Sequence, residues 1–475
     1  MKQKFTFYLH LNNVMIFKKI PFLILLSAIT FSCSNNEEEE EYIGIDLSER
    51  LYAGGDTTIF AENSTAYRNP AANIFGSDLA IHLEGDAQFE QAFVTAPAQV
   101  NNGLGSIFNN TSCVSCHPKD GRAAFPTNFL NLSGLLLRSS VSGTDDHGGP
   151  NPVPGFGTQI QNQAVFGTLP EARYQVTFET KNEILADGTT VTLRKPIITL
   201  FETYMAFPAD GMLSPRIATP VFGLGLLEAI PENNLLALQD INDNNNDQIS
   251  GKANYVWDPI ANQLAIGRFG WKAGAPNVLV QCAGAYVDDM GVTNYVFPNE
   301  TGANQFNGQD GLNDDPEISN AILDQVAFYC RTLGVPAPRN ITNQSVKNGA
   351  RIFEQIDCSK CHTPKQQTGF HSITALANQT IFPYTDLLLH DMGEDLADNR
   401  PDFLATGNEW KTRPLWGIGL TQVINGHTNF LHDGRARNIT EAILWHGGEA
   451  LNAKNKFKQL SVKDRNDLLT FINSL

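Results

Sequence analysis

The sequence predicts a mainly α-helical fold: two helical modules of the same kind, separated by a loop-rich region that holds one small β-hairpin. Three observations carry this. The pentapeptide Cys113-Val-Ser-Cys116-His117 recurs as Cys358-Ser-Lys-Cys361-His362, and each copy follows an Ile-Phe pair, Ile107-Phe108 and Ile352-Phe353, at the same interval. Helix-capping pairs and amphipathic runs gather around the second copy. Between the copies lies a Gly- and Pro-rich stretch, Ser139 to Gly167, then two alternating apolar and polar runs about Asp187-Gly188.

In C-x-x-C-H the two cysteines share one face of a helical turn, where both thiols reach the vinyl groups of one haem. The histidine that follows then lies under the iron. With 7 cysteines and 10 histidines in 475 residues, composition gives roughly 0.002 chance matches, and two are present. Cys113, Cys116, Cys358 and Cys361 are therefore assigned to thioethers, and His117 and His362 to iron, for two covalently bound c-type haems. A four-cysteine zinc site would leave both histidines without a role. A redox dithiol would need a βαβ frame that neither copy has. The repeat I-F-x4-C-x2-C-H looks like a duplicated cytochrome c first helix, so the modules are expected to be two cytochrome c-like domains.

The length suits about three domains. A net charge of −17 argues against nucleic acid, which rewards basic surfaces. It suits a basic partner, such as a small soluble cytochrome c, although much of the charge sits in one run. Lys18-Lys19 precede an apolar run from Ile20 to Ile29, too short to span a bilayer and ordered like a secretory signal. Its end, Thr30-Phe-Ser-Cys33, resembles a bacterial lipobox with Cys33 as the lipidated residue; an ordinary signal with an incidental cysteine is the other reading. Met15 is an alternative start. Ser34 to Glu41 reads as a solvated acidic tether. The expected location is a bacterial cell envelope, with the membrane held through an N-terminal lipid anchor. The expected division is 1–33 signal peptide, 34–60 tether, 61–150 first haem domain, 151–338 middle region and 339–475 second haem domain.

Along the chain, the polar segment from Ala61 to Ala98 holds one short helix at Asp86–Val94. Ser139 to Gly167 is expected to be irregular loop wrapped on a large group. Arg173–Glu179 and Thr190–Arg194 form the hairpin. Gly223 to Leu238 reads as helical, with Pro231 starting a second piece. In Asp240–Gly251, the residues Asp243, Asn245 and Asp247 alternate as oxygen ligands do in the first half of a calcium loop. Gln248 replaces the turn glycine and no closing glutamate follows, so a solvated Asn/Asp turn accounts for the same residues. Helices are expected at Val278–Met290 and Glu317–Thr332. They carry Cys282 and Cys330, either a disulfide or two buried thiols. Pro336-Ala-Pro338 reads as a linker. Ser345–Ile356 is an amphipathic helix leading to Cys358. Asn438 with Glu441 opens a short helix that ends at His446, and Ser461 with Asp464 opens the C-terminal helix, expected to pack across the one before Cys358.

Phe430-Leu-His-Asp-Gly434-Arg, followed by Glu441-Ala-Ile, resembles the C-terminal segment of bacterial di-haem cytochrome c peroxidases and their MauG-type relatives. Gly223–Pro231, Gly267-Arg-Phe-Gly-Trp-Lys-Ala273, Tyr384–Gly393 and Leu431–Ala450 more specifically resemble the family named di-haem oxidoreductase, putative peroxidase, some of whose members are labelled thiol oxidoreductase. The resemblance covers most of the chain after about Asp86. It implies two cytochrome c domains with a family-specific middle, and an exported enzyme that reduces hydrogen peroxide with electrons passed from haem two to haem one. The thiol label finds no support, since thioethers would consume the motif cysteines.

The resemblance also implies site residues. In those peroxidases a methionine in an E-A-V-x-x-M-G segment binds the second haem; Glu441-Ala-Ile-Leu-Trp-His446-Gly places a histidine there. His446 is thus the expected sixth ligand, with a lower potential than methionine gives, and Met392, with His390 beside it, competes. His147 stands in the flexible loop, where the peroxidases keep a histidine that closes haem one at rest; an exposed loop histidine is the alternative. Gln161 and Glu171 are spaced like the pocket glutamine and the glutamate that moves the peroxide proton. Trp271 is the candidate contact between the haems, or else a core tryptophan. Arg435 and Arg437 pair either with haem propionates or with solvent. The rivals to a peroxidase are a non-catalytic electron carrier with both irons six-coordinate, and a MauG-like oxidant of a protein or metal-ion substrate.

Overall fold

Two helix crossings frame the chain, and both are built around a glycine. Gln344–Gln355 packs on Val462–Ser474, and Gly76–Glu90 packs on Asn320–Thr332. A Cβ at Gly349 would lie 2.0 Å from the Asp467 carbonyl oxygen and 2.6 Å from the Phe471 Cβ. A Cβ at Gly85 would lie 2.2 Å from the Gln325 carbonyl oxygen and 2.7 Å from the Tyr329 Cβ. Only a residue without a side chain lets these backbones approach so closely. Caps set the ends: the Asn343, Asn438 and Ser461 side chains each accept from a backbone N–H of the first turn they precede.

This is a computed structural model, and it describes residues 45–128, 130–300 and 305–475. The signal, Cys33 and the acidic run from Ser34 to Glu41 lie outside the described residues. No helix among the described residues is long and apolar enough to cross a membrane.

The expected mainly α fold of two cytochrome c-like domains is not what forms. Among the described residues, strands are spread along the chain in one three-stranded and five two-stranded sheets. The two halves of the Gly76–Glu90 and Asn320–Thr332 crossing are separated by everything from 91 to 319, so the middle region is inserted inside it rather than placed after it. Ile107-Phe108 is not in a helix: it pairs as a short strand with Gln163-Ala164. Pro97, Gly103, Gly105 and four asparagines surround it, a composition that breaks helices. Of the helix expected at Asp86–Val94, only residues 86–90 are helical, as the end of Gly76–Glu90, and 91–94 are not.

The stretch expected to be loop from Ser139 to Gly167 contains most of the strand Leu135–Thr144. This strand is central in the sheet, with Met212–Ile217 on one side and Pro150-Asn151 on the other. Leu135 and Leu137 turn into the core and buried Ser139 follows them, a period of two whose third apolar position is a serine. The hairpin is longer than expected, Arg173–Ile184 against Thr190–Phe201. Its tip lies on the C-terminal helices: Asp187 binds Arg465 at 2.6 Å, and Glu183 binds Lys454 and Lys458. Pro336-Ala337-Pro338 is no exposed linker, since Ala337 is buried and its N–H donates to the Ile59 carbonyl. The described residues from 45 to 475 form one compact unit.

Candidate functional site

Asp357, in the left-handed region at φ 70°, turns the chain out of the Gln344–Gln355 helix into the short turn Cys358–Lys360. The N–H of His362 closes that turn onto the Cys358 carbonyl at 3.0 Å. Cys358, Cys361 and His362 line a cavity of about 240 Å³. His362 Nδ1 lies 3.0 Å from the Tyr384 carbonyl oxygen. A carbonyl only accepts, so Nδ1 carries the hydrogen and Nε2 keeps its lone pair, the state of a metal-binding imidazole. Burial lowers its pKa to about 4, so the ring is neutral at pH 7.

His446 lines the same cavity and is held the same way. Its Nδ1 donates to the Ala442 carbonyl at 2.7 Å, at the end of the helix Ile439–Trp445, and burial lowers its pKa. The two rings are close enough for the charge of His446 to act on His362. Met392 also lines the cavity. His390 does too, but both of its nitrogens are spent, one on Asp386 at 2.9 Å and the other on Glu449 at 2.6 Å. It lies 3.6 Å from Cys361 Sγ and braces that residue without a free lone pair.

The first motif repeats this geometry from other elements. Cys113–Cys116 is a single helical turn, closed by the His117 N–H on the Cys113 carbonyl. His117 Nδ1 donates to the Thr219 carbonyl at 2.6 Å. Burial lowers its pKa, backbone hydrogen bonds to Thr219 and Gly121 oppose this, and the Arg413 charge adds to the lowering. The Phe89 ring lies 6.2 Å from the His117 ring, and the Phe353 ring 6.3 Å from the His362 ring. Phe89 therefore does for the first motif what Phe353 does for the second. The shared signal is Gly-x3-Phe, Gly85 to Phe89 and Gly349 to Phe353, and not the Ile-Phe pair.

Trp271 stands among basic side chains. It lines the cavity beside His362, and its Nε1 donates to the Ile217 carbonyl at 2.9 Å. Over its ring lie Arg122, at 5.2 Å, and Arg413, at 5.0 Å. Arg122 follows the first motif closely yet lines the cavity of the second, donating to the Asn429 and Leu431 carbonyls. Lys411 lines it too. Among the described residues no carboxylate forms an ion pair with Arg122, Lys411 or Arg413. Burial lowers the pKa of Arg122 to about 9, that of Arg413 to about 10 and that of Lys411 well below its usual value. Three enclosed basic side chains in no ion pair suit an anionic occupant.

Those side chains, two free imidazole nitrogens and a thiol pair at the wall all fit a haem, whose propionates would meet the cations. Arg435 and Arg437, expected at the propionates, are committed elsewhere. Arg435 binds Asp433 at 2.8 Å and Arg437 binds Glu441 at 2.6 Å. Sequence missed Arg122, Lys411 and Arg413, because no short motif marks a buried unpaired cation.

Gln161 and Glu171 are brought together: the Gln161 N–H donates to the Glu171 carboxyl at 2.6 Å, and the Glu171 N–H to the Gln161 carbonyl at 2.9 Å. Gln161 Nε2 donates to the Asp288 carbonyl, and the adjoining Asp289 carbonyl holds the N–H groups of Asn109 and Asn110, just before Cys113. Burial, against the pull of the Gln161 N–H, raises the Glu171 pKa to about 9. His147 is exposed, stacked on Trp257 with ring centres 4.1 Å apart, and does not line the cavity. Asp243, Asn245 and Asp247 all accept from N–H groups of their own loop, and Asp247 also binds Lys360 at 3.1 Å. The loop thereby docks on the second motif.

Residues 48–475 match a family model described as "Di-haem oxidoreductase, putative peroxidase". No curated protein matches. Among solved structures, one described as hydrazine synthase of Kuenenia stuttgartiensis pressurized with xenon is similar at 13% identity. The match covers 96% of this chain and 100% of that one, with a TM-score of 0.33, too low to bear on fold or function.

Proposed function

The chain belongs to the di-haem oxidoreductase family, and from that premise we propose that it is an exported peroxidase-type enzyme with two c-type haems. The haems are attached through Cys113 with Cys116 and Cys358 with Cys361, with His117 and His362 as iron ligands. The observation that carries this is the repeated anchoring of His117 and His362, each with Nδ1 tied to a backbone carbonyl beside a C-x-x-C pair. His446, lining the same cavity as His362, would supply that iron with a second imidazole, a ligand set suited to passing electrons. His147, exposed on Trp257, supports a first iron left open to a small oxidant.

The reaction proposed is the reduction of hydrogen peroxide, H2O2 + 2 e− + 2 H+ → 2 H2O, with electrons from a donor such as a small cytochrome c entering at the second site. Bound haem supplies the redox chemistry. The chain supplies the rest: Arg122, Lys411 and Arg413 offer charge to propionates, Trp271 bridges the two sites, and Glu171, kept protonated by burial, holds a proton beside Gln161. The lipid anchor at Cys33 and the cell-envelope location are proposed from the sequence before residue 45.

The test is made on protein from a host able to attach c-type haem. The expected results are an intact mass two haems above the polypeptide, a high-spin ferric signal at rest or after one-electron reduction, and peroxide turnover with a reduced cytochrome. Two permanently low-spin haems would leave only an electron carrier. Turnover absent with peroxide and cytochrome, but present on a protein or metal-ion substrate, would favour the MauG-like reading.

A further inference from the structure

Two cysteines take no part in either C-x-x-C-H motif. Cys282 is in the helix Val278–Met290 and Cys330 in the helix Asn320–Thr332; these helices pack together in one core. Cys330 is buried and Cys282 packs against the same core. The charge of Cys282 acts on the Cys330 thiol. The charge of Cys282 acts on Cys113, and that of Cys113 on Cys330, so three sulfurs share one neighbourhood. The Tyr286 hydroxyl lies beside all three and, buried, has no hydrogen-bond partner. Cys113 packs on this core as well.

We propose that Cys282 and Cys330 form a disulfide in the mature protein, and that this bond protects Cys113 for haem attachment. The proposal rests on the reading that the chain is exported and that Cys113 forms a thioether. In an oxidising compartment three neighbouring thiols can pair in more than one way. A bond from Cys113 to either spare cysteine would consume the sulfur that must add to a vinyl group. Pairing the two spare cysteines first removes both competitors. The oxidant is the disulfide of an extracytoplasmic thiol oxidoreductase. One chain thiolate attacks that disulfide to give a mixed disulfide, and the second displaces the carrier. The S–S bond forms, two protons leave, and the carrier departs as a dithiol holding both electrons.

The test uses full-length protein from a host able to attach c-type haem. It is alkylated under denaturing conditions before and after reduction, then mapped by peptide mass. The expected result is no label at Cys282 or Cys330 before reduction and one at each afterwards; labelling of both before reduction overturns the bond. In the single variants Cys282→Ser and Cys330→Ser, most chains should lack the first haem, and the remaining cysteine should be found bonded to Cys113. The double variant Cys282→Ser/Cys330→Ser should load both haems. Single variants that load like the parent overturn the protective role. Haem at Cys358 and Cys361 is the internal control: parent chains with no haem at either motif count against the haem reading itself, while the alkylation map still decides the disulfide.

Discussion

The Arg413 guanidinium carbon lies 5.0 Å from the centre of the Trp271 ring, and its charge also acts on His117. One side chain thus lies over Trp271 and acts on the His117 ring, while lining the cavity of the second motif. A cation over an indole favours the neutral ring and disfavours its radical cation. If Trp271 relays electrons as proposed, the two cations favour its passing them on over its holding a radical. Removing the positive charge stabilises oxidised iron at both sites. Arg413→Gln should lower both midpoint potentials by on the order of tens of mV. Spectroelectrochemical titration checks this; a shift at one haem alone would separate Arg413 from the other site.

His446 lines the same cavity as His362, with its Nδ1 occupied by the Ala442 carbonyl. His446→Met should keep the second haem low-spin and raise its potential, because a thioether favours the reduced iron more than an imidazole does. His446→Gly should make that haem high-spin. Electron paramagnetic resonance separates the outcomes, and an unchanged low-spin signal in the glycine variant would point to Met392 as the ligand.

The motif cysteines, His117, His362 and the caps at Asn438 and Ser461 were legible because each is a short pattern with a local physical cause. The Gly85-x3-Phe89 crossing was not: its partner helix begins more than two hundred residues later, and a glycine reveals a close approach only when the other backbone is in place. The strand Leu135–Thr144 was hidden by its serines, which are buried beside Leu135 and Leu137 in a sheet whose neighbour, Met212–Ile217, is far along the chain. Arg122, Lys411 and Arg413 read as ordinary surface cations until the cavity shows them enclosed without carboxylates.

Burial raises the Glu171 pKa from its usual value near 4.5 to about 9. Between those values the folded chain holds a proton that the unfolded chain has released, so stability falls as pH rises through that window. Below it the two states bind the same proton and the contribution is constant. The slope is about 1.4 kcal/mol per pH unit for one proton. Glu171→Gln should remove that slope from a plot of unfolding free energy against pH. If Glu171 also delivers the peroxide proton, turnover in the variant should fall on the order of 10²-fold with both haem spectra unchanged.

The helix crossings offer the sharpest test of the repeated architecture. An alanine methyl at Gly349 would stand 2.0 Å from the Asp467 carbonyl oxygen, and one at Gly85 would stand 2.2 Å from that of Gln325. Both neighbours are helix backbone, which cannot turn aside as a side chain tip can. Each substitution should therefore push its helices apart and cost about 1–3 kcal/mol. Helix propensity works the other way, since alanine is favoured over glycine by about 1 kcal/mol in a helix, so a net loss can come only from the crossing. Gly349→Ala should loosen the helix that carries Phe353 against His362, and Gly85→Ala the one that carries Phe89 against His117. Chemical denaturation of both variants, followed at each haem band, should show the second site weakened in Gly349→Ala and the first in Gly85→Ala. Equal stability to the parent in either variant would mean that the close backbone approach at that crossing is not there.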